Sequence, residues 1–239
     1  MNGSLGRKVE ALERLLGRIA LEHAPAALAS SLSAEDMVIT DANLRNGIGI
    51  GIFTLDTGRL HADTLSVVDA IRARYDYEVQ IFRPDPAAVE EYVASFGRDA
   101  FYESVDLRKR CCHIRKVEPL ERALAGKRAW ITGQRREQAA TRSGLSVQEH
   151  DAARGIAKFN PLADWSEAEV WEYIRGRGVP YNALHDQGYR SIGCAPCTRP
   201  TVAGEDVRAG RWWWELRDAR ECGLHLAPDG HLVRAKEAV

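Results

Sequence analysis

GIGIGIFTLDTGRLH, residues 47 to 61, decides the fold. Ile48 to Leu55 reads as a buried strand, because β-branched and apolar residues run unbroken to a turn at Asp56-Thr57-Gly58. Its glycines alternate within the strand instead of opening a helix, so the stretch is not a glycine-rich phosphate loop. Around it the pattern alternates. A strand is expected at Ala26 to Ser31, a helix at Ala34 to Leu44, a helix at His61 to Tyr75, a strand at Tyr77 to Phe82 and a helix from Ala87 to Phe96. Such βαβαβ alternation predicts an α/β fold with a doubly wound parallel sheet, whose ligands bind beyond the carboxyl ends of the strands.

The remaining segments fit round that unit. Leu5, Val9, Leu12, Leu15, Leu16 and Ile19 recur at helical spacing, which predicts an amphipathic helix within residues 1–24. A nucleotide-binding unit is expected over 25–200, with a helix from Cys112 to Ala125, a strand at Arg128 to Thr132, and a helix at Ser166 to Arg177 opened by a Ser166/Glu169 capping box. Residues 201–239 form a loop-rich C-terminal segment.

Thirty-three Lys and Arg balance 34 Asp and Glu, giving a net charge of -1, which excludes the broad basic field of a general nucleic-acid binder. There is no apolar run long enough for a membrane span, and Glu10 and Glu13 stand where a secretory signal would be apolar, so a cytoplasmic protein is expected. In that compartment thiols stay reduced, and the five cysteines read as ligands or reactive groups.

Cys111 and Cys112 are adjacent in KRCCHIRK, and Cys194 and Cys197 form a C-x-x-C in SIGCAPCTRP. Neighbouring cysteines bridge each other poorly and crowd a single zinc ion, whereas a cubane offers each sulfur its own iron. A cluster, a zinc ion and simple burial are the three readings, with the cluster favoured. At the start of the expected helix, the pair would also gain from the helix dipole. Cys222, in ECGLH, has Arg217 and Arg220 upstream and His225 downstream, an environment that suits a nucleophilic thiolate, with a spare cytosolic thiol as the equal alternative. Two arginine groups, Arg135, Arg136 and Arg142 in one loop and Arg208 and Arg211 in another, suggest a doubly anionic ligand or else a solvated face. Trp212, Trp213 and Trp214 read as packing, and Ser33 with the helix start at Ala34 as anion donors.

From about residue 25 to 226, SSLSAEDM, FTLDTGRLH, CCHIRKVEPL, WITGQRREQ, KFNPL, YNALHDQGYRSIGCAPCTRP, GRWWWE and ECGLH occur in family order. On these motifs the chain resembles the assimilatory adenylyl sulfate (APS) reductases, relatives of the phosphoadenylyl sulfate (PAPS) reductases. The resemblance implies an adenine nucleotide alpha hydrolase-like fold and a [4Fe-4S] cluster on Cys111, Cys112, Cys194 and Cys197. It implies reduction of APS to sulfite and AMP in sulfate assimilation and cysteine biosynthesis, with Cys222 carrying an S-sulfocysteine that thioredoxin resolves. Substrate contacts are implied for Lys116, Arg208, Arg211, His225, Arg135 and Arg136, and for Leu55, Asp56 and Thr57 along the adenosine. It implies no membrane or nucleic-acid partner and is compatible with a homo-oligomer. Two departures stand out. Glu35 replaces the lysine of ATP-cleaving relatives, which disfavours a triphosphate, and Leu32 replaces a serine, leaving Ser31 or Ser33 as the hydroxyl donor.

Overall fold

The computed structural model describes residues 3–139 and 142–215. Six strands form one sheet: β1 (Ala26–Ser30), β2 (Gly51–Leu55), β3 (Gln80–Phe82), β4 (Ala129–Ile131), β5 (Gln148–Asp151) and β6 (Ile156–Phe159), in the order β3-β2-β1-β4-β6-β5. All neighbours pair in parallel except β5 with β6. The doubly wound parallel sheet is thus present as expected, with one antiparallel strand added at its edge. QEHD is too polar, and IAKF too short, to read as strands from the sequence. They pair because the edge position leaves one side of β5 in water, where Gln148 and His150 are exposed.

Side chains alternate across the sheet as a pleated strand requires. Leu28, Ile52, Ala129 and Ile131 face the larger apolar core, whereas Ala27, Phe53 and Trp130 face a second core. The larger core takes α1 (Gly3–Glu22), whose Leu5, Val9, Leu12, Leu16 and Ile19 are buried at three- and four-residue intervals, together with α2 (Ala34–Arg45), α3 (Ala62–Tyr75) and α7 (Glu167–Arg177). Lys8 on α1 fastens the opening of α7 through Glu169 at 2.7 Å, and the Ser166/Glu169 capping box forms as expected. On the opposite face, α6 (Glu118–Leu124) supplies Leu120, Ala123 and Leu124, following α4 (Pro86–Phe96) and α5 (Val105–Cys112).

The single helix expected from Cys112 to Ala125 is instead three joined segments. α5 runs into a π-helical turn at His113–Val117, which leads into α6. Pro119, in the first turn of α6, has no N–H to give an α-helical ladder, and the wider turn before it takes up the mismatch. The cysteine pair thus lies at the C-terminal end of α5. Dipole stabilisation from a helix start is corrected: positive charge there comes from side chains.

Candidate active site

β1 and β4 are neighbours, but β1 is followed by β2 on its other side, so the loops after β1 and β4 diverge and open a crevice. A cavity occupies it. Its walls come from the loop after β1 (Ser31, Ser33), the start of α2 (Glu35, Asp36), the end of β2 (Leu55, Thr57), the loop after β4 (Gly133, Gln134, Gln138, Arg142) and the late segments bearing Cys194, Arg208, Arg211 and Trp212. Lys116, from the π turn, closes one side.

The loop after β1 is tightly held. Leu32 is fully buried with φ 62, a left-handed backbone costly for a branched residue, and its N–H donates to the Ser30 hydroxyl. Asp36 accepts hydrogen bonds from the Ser31 N–H and hydroxyl at 2.7 and 2.6 Å and from the Gly133 N–H at 2.9 Å, so one carboxylate ties together the loops after β1 and β4. Position 133 must be glycine, since a Cβ there would sit 2.5 Å from that carboxylate. The Ser31 hydroxyl is thereby committed to Asp36. Ser33 begins α2 without a cap from its own side chain, which makes it the hydroxyl available to the cavity.

Burial pushes the Asp36 carboxyl up to about 6, against the hydrogen bonds that favour its charge. Its folded value lies above its unfolded one, so the folded chain binds the extra proton and this group's contribution to stability rises as pH falls from 7 to 5. In urea titrations, wild type should therefore gain roughly 1 kcal/mol on Asp36→Asn over that interval. A stability difference independent of pH would contradict this.

The arginines divide. Arg208 and Arg211 line the cavity, and Arg142, grouped in the sequence with Arg135 and Arg136, lines it too. Arg135 and Arg136 do not. Arg135 is buried under the start of α2, donating to Glu35 at 2.9 Å, to Glu137 at 2.9 Å and to the Trp165 carbonyl at 3.2 Å. Arg136 pairs with Asp164 and with the Leu145 carbonyl. Asp56 likewise faces away, accepting from Arg83 and from the Gly58 N–H, while its neighbours Leu55 and Thr57 form the wall. Arg135 thus acts at second hand, holding the Glu35 carboxylate at the cavity edge.

Cys111, Cys112, Cys194 and Cys197 converge on a second, smaller cavity with Arg59, Arg108, Arg115 and Lys116. Lys116 and Cys194 belong to both cavities. Arg115 donates to the Thr57 carbonyl at 2.7 Å, Thr57 Oγ1 lies 3.3 Å from Cys194 Sγ, and the Ala195 N–H reaches the Arg59 carbonyl at 2.7 Å, so the LDTGR turn is sewn to the C-x-x-C. Burial alone would raise the Cys194 thiol, yet Lys116, the Thr57 hydroxyl, Arg211 and Arg115 together bring it below its usual range. Cys197, buried and beside Cys194, is pushed up to about 12. Among the described residues, no three His, Cys, Asp or Glu side chains are grouped as ligands of one ion. Four convergent sulfurs, three of them buried and Cys111 half-buried, with no carboxylate among them and ringed by cations, suit an anionic thiolate-bound cluster better than a lone zinc ion. Trp212, read from the sequence as packing, is fully buried against Phe101, Cys194 and Cys197 and also reaches the first cavity. Cys222 and His225 lie outside the described residues.

No helix among the described residues is long and apolar enough to cross a membrane. Residues 25–200 match the phosphoadenosine phosphosulfate reductase domain. An adenosine 5'-phosphosulfate reductase of Burkholderia cepacia is 61% identical over 93% of this chain and 89% of its own. One of Neisseria meningitidis serogroup A is 57% identical over 94% and 93%, and one of Allochromatium vinosum 53% over 92% and 85%. Among solved structures, a phosphoadenylyl-sulfate (PAPS) reductase of Candida auris in a phosphate complex superposes with TM-score 0.69 at 26% identity, over 83% of this chain and 98% of that one. A Candida glabrata FMN adenylyltransferase, at 12% identity and TM-score 0.57, shares the fold alone. With the family domain covering most of the chain and close relatives spanning nearly all of it, this protein belongs to the phosphoadenosine phosphosulfate reductase family.

Proposed function

We propose that this chain reduces APS to sulfite and AMP with electrons from thioredoxin. The observation that carries the proposal is the shared wall: Lys116 and Cys194 stand between a cation-lined crevice at the switch point and a chamber of four cysteines. Names of close relatives point the same way.

The adenosine lies along Leu55 and Thr57, with its phosphate toward Ser33 and the start of α2, where backbone N–H groups favour an anion. Lys116, Arg142, Arg208 and Arg211 then surround the sulfate end. Cys222 attacks the sulfur as thiolate. A Cys222 S–S bond forms while the bond from sulfur to the bridging oxygen breaks, and its electron pair departs on AMP. His225 completes the substrate contacts from the same segment. One thioredoxin thiolate next attacks Cys222 Sγ and expels sulfite; the second thiol resolves the mixed disulfide, so the dithiol is oxidised, two protons are released and Cys222 is regenerated. Because the group transferred is anionic, placement and charge neutralisation supply most of the acceleration. The four cysteines would hold a [4Fe-4S] cluster, which when bound supplies a fixed charge beside Lys116 and braces the chamber without serving as an obligatory electron carrier.

Parallel assays of APS and PAPS with thioredoxin, reading sulfite release, test substrate choice. A preference for APS of about 100-fold or more in kcat/KM is expected, since a 3′-phosphate would require further cationic contacts to offset its charge. Equal use of both, or a preference for PAPS, would overturn the proposal.

A further inference from the structure

Arg108, on α5 three residues before Cys111, is completely buried. It donates from Nε and Nη2 to the two carboxylate oxygens of Glu215, each at 2.8 Å, and Glu215 is only 4% exposed. The same guanidinium lies 4.8 Å from the Trp212 ring, whose neighbour Arg211 lies 4.7 Å from it. It also faces the small cysteine cavity, where it donates to the Cys112 sulfur as well as to Glu215.

The turn that Arg108 grips is itself strained. Trp212 has φ 43 while fully buried, a conformation that persists only where its surroundings over-determine it. The surroundings do so: the Trp212 N–H donates to the Cys197 carbonyl at 3.1 Å, and the Glu215 N–H to the Trp212 carbonyl at 2.9 Å. Residues 212–215 are thus fixed to both cysteine pairs, through Arg108 on one side and Cys197 on the other. A buried ion pair adds little stability over an apolar pair of the same volume, but a bidentate fork fixes register and direction. Register matters here, because Glu215 stands seven positions before Cys222. Seven residues span at most about 25 Å at full extension, so the position at which residue 215 is held bounds how far from the crevice the Cys222 thiol can lie.

We propose that Arg108, through its two-pronged bond to Glu215, is a positioning residue that anchors the root of the C-terminal segment to the cysteine-bearing helix and so sets the effective concentration of Cys222 at the bound substrate. The catalytic part rests on the function proposed above. The anchoring part does not.

The test uses full-length Glu215→Gln and Arg108→Lys, with iron content and visible absorbance measured first. Trypsin cleavage after Arg217 and Arg220 reads the anchor without substrate, and kcat and KM for APS read its catalytic effect. The expected result is iron content and KM within about twofold of wild type, cleavage faster by roughly tenfold, kcat lower by roughly tenfold, and partial recovery in Glu215→Asp, which keeps the carboxylate. Cleavage and kcat both within about twofold of wild type, with the pair broken, would overturn the proposal. Iron loss in both variants would overturn it equally, since the pair would then be a support of the cysteine chamber. If wild type does not turn over APS while cleavage still responds, the proposed function fails and the anchor stands.

Discussion

Cys222→Ser is expected to abolish turnover, lowering thioredoxin-dependent sulfite release by at least about a thousandfold while leaving iron content and APS binding unchanged. A hydroxyl at neutral pH is almost entirely protonated and a poor nucleophile toward sulfur, and a sulfate ester on serine presents an oxygen where thioredoxin would attack the cysteine sulfur. The four remaining cysteines cannot substitute, being gathered around one separate chamber with Cys194 alone touching the crevice wall. APS binding measured by equilibrium dialysis separates the outcomes: unchanged affinity with lost turnover is the expected pattern, whereas retained turnover would remove Cys222 from the reaction.

Lys116→Ala is the second large effect. Its ammonium is delivered by the π turn to the partition between crevice and cysteine chamber, where it is 9% exposed and is the leading charge lowering the Cys194 thiol. A preorganised cation in such a site is worth about 3–4 kcal/mol in the transition state, so kcat/KM should fall by about a hundredfold to a thousandfold. Lys116→Arg should recover little, because a planar fork on a longer stem does not fit a point-charge position. Iron content and absorbance are measured alongside; a loss below about tenfold, with the chamber intact, would contradict the role assigned to Lys116.

The main sheet was legible because β1 and β2 are apolar runs that end in turn residues, with helix-length segments between the strands. The edge hairpin was not, because four-residue strands with polar alternation look like loop until a neighbour pairs with them. The cysteine chamber could be read from residue type and spacing alone, since few arrangements other than a shared ligand explain an adjacent pair and a distant C-x-x-C in a chain expected to stay reduced. Which arginines face the crevice could not. Arg135 and Arg142 lie in one basic loop, and only the fold sets Glu35, a hundred residues earlier, against the first, leaving the second on the cavity wall. That Trp212 packs was legible from its type, but the left-handed turn held by Arg108 and Cys197 that seats it was not, because no local pattern announces it.

The central claim is that Cys222 takes the sulfonyl group from APS before thioredoxin acts. It is tested most directly by the mass of the full-length, anaerobically purified chain after incubation with APS and no thioredoxin, followed by peptide mapping. A single added sulfonate on Cys222, released as sulfite when reduced thioredoxin is supplied, is the predicted result. An unmodified chain with its iron complement intact, or an adduct on another residue, would contradict the account.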